Sequence, residues 1–84
     1  MSYKILLERK ALKFINKQPS DQKKRILSAI YKLPIEGDFQ LLAGAEKLYR
    51  LRVGDYRVIY TIEDSELIVR VINVGNRGQI YKNL

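Results

Sequence analysis

The stretch that decides the fold spans residues 48–60 and reads LYRLRVGDYRVIY. Its first half alternates apolar residues with arginines, which is the pattern of a half-buried strand. Gly54-Asp55 then supplies a two-residue loop, because glycine can take the positive φ that a tight hairpin turn needs. The second half is rich in β-branched and aromatic residues, which strands favour. The stretch therefore predicts a β-hairpin.

The turn also sets which residues of the two strands lie opposite each other. With a two-residue loop, three pairs follow in order from the turn: Val53 with Tyr56, Arg52 with Arg57, and Arg50 with Ile59. Three arginines then share one face of the sheet, and like charges directly opposite one another destabilise a hairpin. Such a face is either a binding surface for a polyanion or a solvated basic face whose arginine stems cover apolar surface.

Composition limits the class of protein. The 84 residues leave room for one small core, so we expect a single domain over residues 1–84. Lysine and arginine outnumber aspartate and glutamate by 16 to 9, which favours nucleic acid, an acidic protein segment or an anionic membrane surface as partner. The chain has no cysteine and no histidine, so we expect no metal site, and histidine-based catalysis is excluded. Because no signal-peptide pattern and no apolar run of about 18 residues is present, we expect a cytoplasmic protein without membrane association.

The rest of the chain predicts two helices and two further strands. Residues 3–7 form a short apolar strand, and apolar residues recur at helical spacing over residues 8–17 and 21–33. Pro19 breaks the chain between the helices, and Ser20 is a good N-cap residue for the second. The remaining segments are assigned as follows: a loop over 34–47 with room for a short turn at 39–42, a turn at 63–66, a strand over 67–74, a loop over 75–78, and a tail over 79–84 that is either an edge strand or one helical turn.

The resulting order, β-α-α-β-β-β, predicts an α+β fold of two layers, in which a helical hairpin packs on one face of an antiparallel sheet. The expected core residues lie on the sheet face opposite the arginines: Tyr49, Leu51, Val53, Val58, Tyr60, Val69 and Val71. If Asp64 and Ser65 form the next two-residue loop, Arg70 faces Ile59 and joins the arginine face. The lysines of the two helices are expected to form a solvated surface.

Two segments and the element order together resemble the RelE toxins of the RelE/ParE superfamily. The segments read YRLRVGDYRVIY over residues 49–60 and VINVGNRGQIY over residues 71–81, and the resemblance covers nearly the whole chain. It implies a RelE-like fold and a toxin of a type II toxin–antitoxin pair. RelE-type members enter the ribosomal A site and cleave mRNA there, without a cofactor. The related ParE toxins act on DNA gyrase and lack the catalytic residues.

The resemblance also implies roles for single residues. Arg57 matches a residue that holds the scissile phosphate, and Arg77 matches one that contacts the transition state or leaving group. Tyr81 matches the tyrosine proposed as general base. Arg50 and Arg52 stand where RelE itself has two lysines, which retains the charge for RNA binding and catalysis but alters geometry and proton transfer.

The chemistry of metal-free RNA cleavage fits these residue types in part. The ribose 2′-hydroxyl attacks the adjacent phosphorus, so the protein must position the strand, neutralise charge, take one proton and give one. Arginine forks suit the first two tasks. Tyr81 would act as a base only if neighbouring arginines lowered its pKa from about 10. We therefore expect weak activity on free RNA and dependence on the ribosome.

The sequence leaves other functions open. The chain is alternatively a non-enzymatic ParE-like toxin with a protein target such as gyrase, or a degraded toxin that serves only as the partner of an antitoxin in a DNA-binding repressor. A purely structural domain is a third interpretation, and the opposed arginines count against it. The expected partners of a nuclease are mRNA and ribosomal RNA in the A site, a neutralising antitoxin with an acidic disordered segment, and operator DNA only through the antitoxin complex.

Overall fold

A mixed sheet with two helices on one face makes up the part of the chain that the computed structural model describes, residues 3–43 and 47–80. The elements follow in this order: β1 (Lys4–Leu7), α1 (Arg9–Asn16), α2 (Ser20–Ile30), β2 (Asp38–Ala43), β3 (Leu48–Val53), β4 (Tyr56–Glu63) and β5 (Ile68–Asn76). Across the sheet the strand order is β1-β5-β4-β3-β2. This arrangement confirms the predicted α+β fold. The sheet is antiparallel except for the β1–β5 pair, which is parallel.

Strand β2 is the main departure from the sequence prediction, which had residues 34–47 as a loop. Asp38–Ala43 instead pairs antiparallel with β3 and forms one edge of the sheet. Phe39 and Leu41 do alternate with polar residues, but the segment is short and contains residue types that strands disfavour. The loop prediction was wrong because pairing with β3, rather than local propensity, decides the conformation of this segment.

The start of α2 also differs from the prediction. The helix begins at Ser20, while Pro19 takes the extended conformation of the flanking N-cap position, with ψ 151°. Ser20 therefore lies in the first helical turn, and no side chain of the described residues caps α2, so the prediction that Ser20 is the cap was wrong. The helix ends at Ile30, and the apolar stripe continues into the following turn, where Leu33 is buried.

The core lies between the helices and the face of the sheet that they cover, here called the inner face. Every predicted core residue belongs to it: Leu51, Val53, Val58, Tyr60, Val69 and Val71 are buried, and Tyr49 is partly buried against them. The helices contribute Ala11, Ile15, Ile26 and Ile30, which have no exposed surface. Apolar residues recur at every second position of the strands and about once per turn of the helices. This periodicity therefore predicts the buried faces correctly.

The β4–β5 hairpin has a longer turn than the sequence suggested. Glu63 pairs with Ile68, so the loop has four residues, 64–67, and Leu67 takes a positive φ of 55°. Strand β5 then continues to Asn76, two residues beyond its predicted end. The sequence predicts that the apolar Leu67 starts the strand. Leu67 instead takes the left-handed conformation that turns use, so the turn is longer and the strand begins at Ile68.

No helix in the described ranges, 3–43 and 47–80, is long and apolar enough to cross a membrane.

Candidate nucleic-acid interface

The arginines of the β3–β4 hairpin lie together on the side of the sheet away from the helices, here called the outer face. The predicted register is confirmed, with Arg52 opposite Arg57 and Arg50 opposite Ile59. Because side chains alternate along a strand, this register puts all three arginines on the outer face. The turn that sets the register contains Gly54 with φ +59°, the left-handed conformation that glycine accepts without strain.

Arg57 is held in a fixed orientation by its own turn. Only 8% of its surface is exposed. Its Nη1 group donates to the carbonyl oxygen of Gly54 at 2.8 Å and to that of Tyr56 at 2.9 Å. A guanidinium carries five N–H donors, so Nη2 and Nε remain for other acceptors. Arg57 can therefore bind an anion without giving up the contacts that orient it.

Arg77 reaches the same turn through its backbone. Its amide N–H donates to the carbonyl oxygen of Asp55 at 2.7 Å, while its side chain is exposed. The segment after β5 is thus tied to the β3–β4 turn. The structure brings Arg57 and the backbone of Arg77, the two predicted phosphate contacts, to one tight turn. Tyr81 lies outside the described residues, and its role stays a prediction.

Arg50 and Arg52 are engaged by the edge strand β2. The Arg52 guanidinium forms an ion pair with Asp38, and both side chains are about half exposed. Arg50 donates through Nη2 to Oε1 of Gln40 at 2.7 Å. The sequence pattern does not reveal either partner, because it predicts a loop for their segment. The signal that could have found them is the alternation of Phe39 with these polar residues.

These contacts change the meaning of the opposed arginines. Asp38 offsets the charge of Arg52, and Arg57 turns its Nη1 group toward backbone carbonyls, so the repulsion across the hairpin is relieved within the protein. The opposed pair therefore does not by itself require an external polyanion. The case for anion binding depends instead on Arg57 and Arg77, whose remaining donors have no carboxylate partner among residues 3–43 and 47–80.

Arg70 lies on the outer face, as predicted, but at the end away from the β3–β4 turn. The four-residue turn places Arg70 opposite Thr61, so the predicted pairing with Ile59 was wrong. Arg70 still projects from the outer face, because Thr61 does, but it forms an ion pair with Glu63 at 3.3 Å. The outer face is therefore positive near the β3–β4 turn and neutralised at its other end.

Helix α2 supports the turn from the inner side. The Arg25 guanidinium lies so near Gly54 that a Cβ added there would be 2.9 Å from Nη2. The Gly54–Asp55 turn is consequently enclosed by Arg25 on one side and Arg57 on the other. No sequence pattern indicates this contact, because Arg25 resembles every other cation of a solvated helix.

The tyrosines of the inner face serve the core, as predicted. The rings of Tyr49 and Tyr60 stack with their centroids 5.4 Å apart and a 17° angle between planes. Burial raises the pKa of the Tyr60 hydroxyl to about 12, and the nearby Tyr49 adds to the shift. A hydroxyl with so high a pKa is unsuited to act as a base, so Tyr60 is a structural residue.

Comparison with known proteins agrees with the fold and with the resemblance. Residues 5–81 match the family model described as the ParE toxin of type II toxin–antitoxin systems. A candidate toxin of Methanocaldococcus jannaschii, RelE1, is 27% identical to the chain, and the match covers 99% of each protein.

Two solved structures are similar over nearly their whole length. The crystal structure of an archaeal RelE–RelB complex from Pyrococcus horikoshii matches with a TM-score of 0.76 at 26% identity, covering 94% of this chain and 99% of that one. The isolated RelE toxin of E. coli matches with a TM-score of 0.68 at 27% identity, covering 98% of this chain and 94% of that one. The chain therefore belongs to the RelE/ParE family of type II toxin–antitoxin toxins.

Proposed function

We propose that this toxin is a ribosome-dependent mRNA endonuclease that cuts the message in the A site. The observation that carries the proposal is the meeting of Arg57 and Arg77 at the Gly54–Asp55 turn. Arg57 is enclosed and oriented, which suits a phosphate contact that must be precise. Arg77 is exposed, and the contact found for it among residues 3–43 and 47–80 is made by its backbone, which suits a side chain that binds when RNA arrives.

In the proposed reaction, the 2′-oxygen of the ribose attacks the adjacent phosphorus and the bond from phosphorus to the 5′-oxygen breaks. The products are a 2′,3′-cyclic phosphate and a free 5′-hydroxyl. Arg57 and Arg77 would neutralise the charge that builds on the phosphoryl and leaving oxygens. Tyr81 would take the proton of the 2′-hydroxyl, and water would supply the proton to the leaving oxygen, since arginine is a poor proton donor.

Dependence on the ribosome follows from what the chain lacks. The sequence has no histidine, so no side chain titrates near neutral pH in the unperturbed state. Such a protein can neutralise charge and use a tyrosine as its base. Its cleavage rate rises most when a partner already holds the RNA strand in line for attack. The ribosomal A site would supply that geometry, and the net charge of +7 would favour association with ribosomal RNA.

The same charge suits an antitoxin. The similar toxins from P. horikoshii and M. jannaschii were crystallised as RelE–RelB complexes. We propose that this chain likewise has a RelB-type partner, with an acidic segment that folds over the basic outer face and blocks RNA. Binding of operator DNA would then belong to the antitoxin complex.

One observation favours a second candidate function. The matching family model is described as a ParE toxin, and the Arg50 and Arg52 side chains already have partners within the protein. A ParE-like toxin would inhibit a protein target such as DNA gyrase and would need no phosphate contacts. Substitution of Arg57 or Arg77 would then leave the toxin active.

A primer-extension assay on a defined mRNA with programmed ribosomes separates the two. The nuclease proposal expects a new break within the A-site codon, absent without ribosomes and reduced at least a hundredfold by Arg57→Ala or Arg77→Ala. Arg9→Ala is the matched control, since it removes one exposed arginine from α1, away from the outer face. A toxin that arrests growth without any break, or that cuts equally well as Arg57→Ala, would reject the nuclease function.

A further inference from the structure

A second concave surface lies where β5 extends beyond its neighbour β1. The two strands pair only as far as Leu7 and Val71, whereas β5 continues to Asn76. Helix α1 follows β1 and packs along β5, so it forms the opposite wall of the opening. The result is a cleft of about 370 Å³, here called the α1–β5 cleft, near the lower end of the size range of ligand sites.

The α1 wall of this cleft is strongly positive. Lys10, Lys13 and Lys17 lie along it at a spacing of three and four residues, which spreads their charges over about 10 Å of one helix side. None of the described residues that line the cleft carries a carboxylate. Neither ion pair found among residues 3–43 and 47–80 involves these lysines. A concave surface with one sign of charge focuses the field and concentrates anions.

Other residues that line the cleft contribute an amide group and an aromatic ring. Asn73 lines the cleft with 7% of its surface exposed, and its Oδ1 accepts the Val74 N–H at 3.0 Å. No hydrogen bond of its amide NH2 is found among residues 3–43 and 47–80, so this group can donate to a ligand. Phe14 adds an aromatic wall, with its ring edge-to-face with Tyr56 at 6.0 Å. Cations, an amide donor and an aromatic ring together match the phosphate, polar edge and flat face of a nucleotide.

The cleft also adjoins the outer face. Gly75, on its floor, pairs with Arg57, and paired strands are about 4.8 Å apart. A strand of RNA that places one phosphate on Arg57 can therefore continue over the edge of β5 into the cleft. The other edge of the sheet is less suitable, because Asp38 and Gln40 occupy the arginines there.

We propose that the α1–β5 cleft is a second RNA-binding site. It takes one nucleotide of the strand that crosses the outer face, with phosphate held by Lys10, Lys13 and Lys17 and the base against Phe14. The inference rests on the proposed function in one respect, namely that single-stranded RNA is the substrate. An acidic protein segment would use the lysines alone, whereas the Asn73 amide and the aromatic wall favour a nucleotide.

The test compares two triple variants that remove the same charge. Lys10→Gln/Lys13→Gln/Lys17→Gln alters the cleft, and Lys23→Gln/Lys24→Gln/Lys32→Gln alters α2 and the turn after it. Binding of a fluorescent single-stranded RNA is measured by anisotropy from 0.05 to 0.5 M salt, after thermal melting shows both variants folded. Removing one ionic interaction with a phosphate lowers the slope of log K against log salt by about 0.7, so the removal of one or two predicts affinity about 5- to 25-fold weaker at 0.1 M salt for the cleft variant.

The control triple variant should stay close to the unaltered protein. Phe14→Leu should weaken RNA binding without changing the salt slope, because the base contact is not ionic. Equal reductions in the two triple variants, or full RNA affinity in Phe14→Leu, would overturn the nucleotide site. The affinity for poly-glutamate is measured in the same way. If the three cleft substitutions lowered it by the same factor as the affinity for RNA, the site would belong to an acidic protein segment and the proposal would be rejected.

These results are independent of cleavage. Weaker RNA binding confined to the cleft variant, combined with no break in the ribosome assay, would support the cleft and reject the nuclease function. If the protein cleaved mRNA on the ribosome and the cleft substitutions left its RNA affinity unchanged, the nuclease function would be supported and the cleft site rejected.

Discussion

Asp38→Asn tests whether β2 restrains the arginines of the outer face. The substitution keeps the side-chain shape but removes the ion pair with Arg52. Both side chains are about half exposed, so the pair contributes roughly 0.2–1 kcal/mol to stability. Without it, the repulsion between Arg52 and Arg57 across the hairpin adds a similar cost. The free energy of unfolding should therefore fall by about 0.5–1.5 kcal/mol, as measured by urea denaturation.

The same change should strengthen RNA binding. Arg52 released from Asp38 can contact one further phosphate, which steepens the slope of log K against log salt by about 0.7. Relative to 1 M salt, this predicts about a fivefold gain in affinity at 0.1 M. The assay is fluorescence anisotropy with a single-stranded RNA across a salt series. A variant that is less stable yet binds RNA more tightly is the signature of a restrained arginine.

Two further variants make the result decisive. Glu66→Gln removes one negative charge in the β4–β5 turn, at the opposite end of the sheet, and controls for net charge alone. In an Arg52→Gln background, Asp38→Asn should have little effect on affinity, because its partner is gone. If Asp38→Asn gained no more affinity than Glu66→Gln, or gained as much without Arg52, the restraining role of β2 would be refuted.

Three other substitutions have definite expected outcomes. The buried Tyr60 hydroxyl has no partner among residues 3–43 and 47–80, so Tyr60→Phe should raise the free energy of unfolding by about 1 kcal/mol in urea. Since burial raises the pKa of the Tyr60 hydroxyl from 10 to about 12, the free energy of unfolding should fall as pH rises from 10 toward 12, and Tyr60→Phe should show a flatter profile over this range. Gly54→Ala should cost about 1–2 kcal/mol at φ +59°, and Gly54→Asn clearly less. Gly75→Ala, whose Cβ would lie 2.9 Å from Ile80 Cδ1, should lower the melting temperature by several degrees.

Each of these has an outcome that would contradict it. A Tyr60→Phe variant less stable than the parent would mean that the hydroxyl has a partner. Equal stability of Gly54→Ala and Gly54→Asn would show that the left-handed turn is not required. An unchanged melting temperature in Gly75→Ala would show that Ile80 moves aside at little cost.

The sequence alone predicted those features that depend on contacts between near neighbours in the chain. The β3–β4 hairpin was correct to the single residue pair, because Gly54-Asp55 permits only a short turn and the turn fixes the register. The inner face was correct because apolar residues recur at every second position of a strand. From that register alone came the placement of Arg50, Arg52 and Arg57 on one face.

Tertiary structure decided what depends on residues far apart in the chain. Strand β2 forms because β3 offers it an edge, and only that pairing brings Asp38 to Arg52. The residue that pairs with Arg70 depends on the positive φ at Leu67, which no local sequence pattern predicts. The α1–β5 cleft exists because β1 stops at Leu7 while β5 continues. A sequence pattern records which face a residue occupies, whereas the partner on that face is set by how the strands assemble.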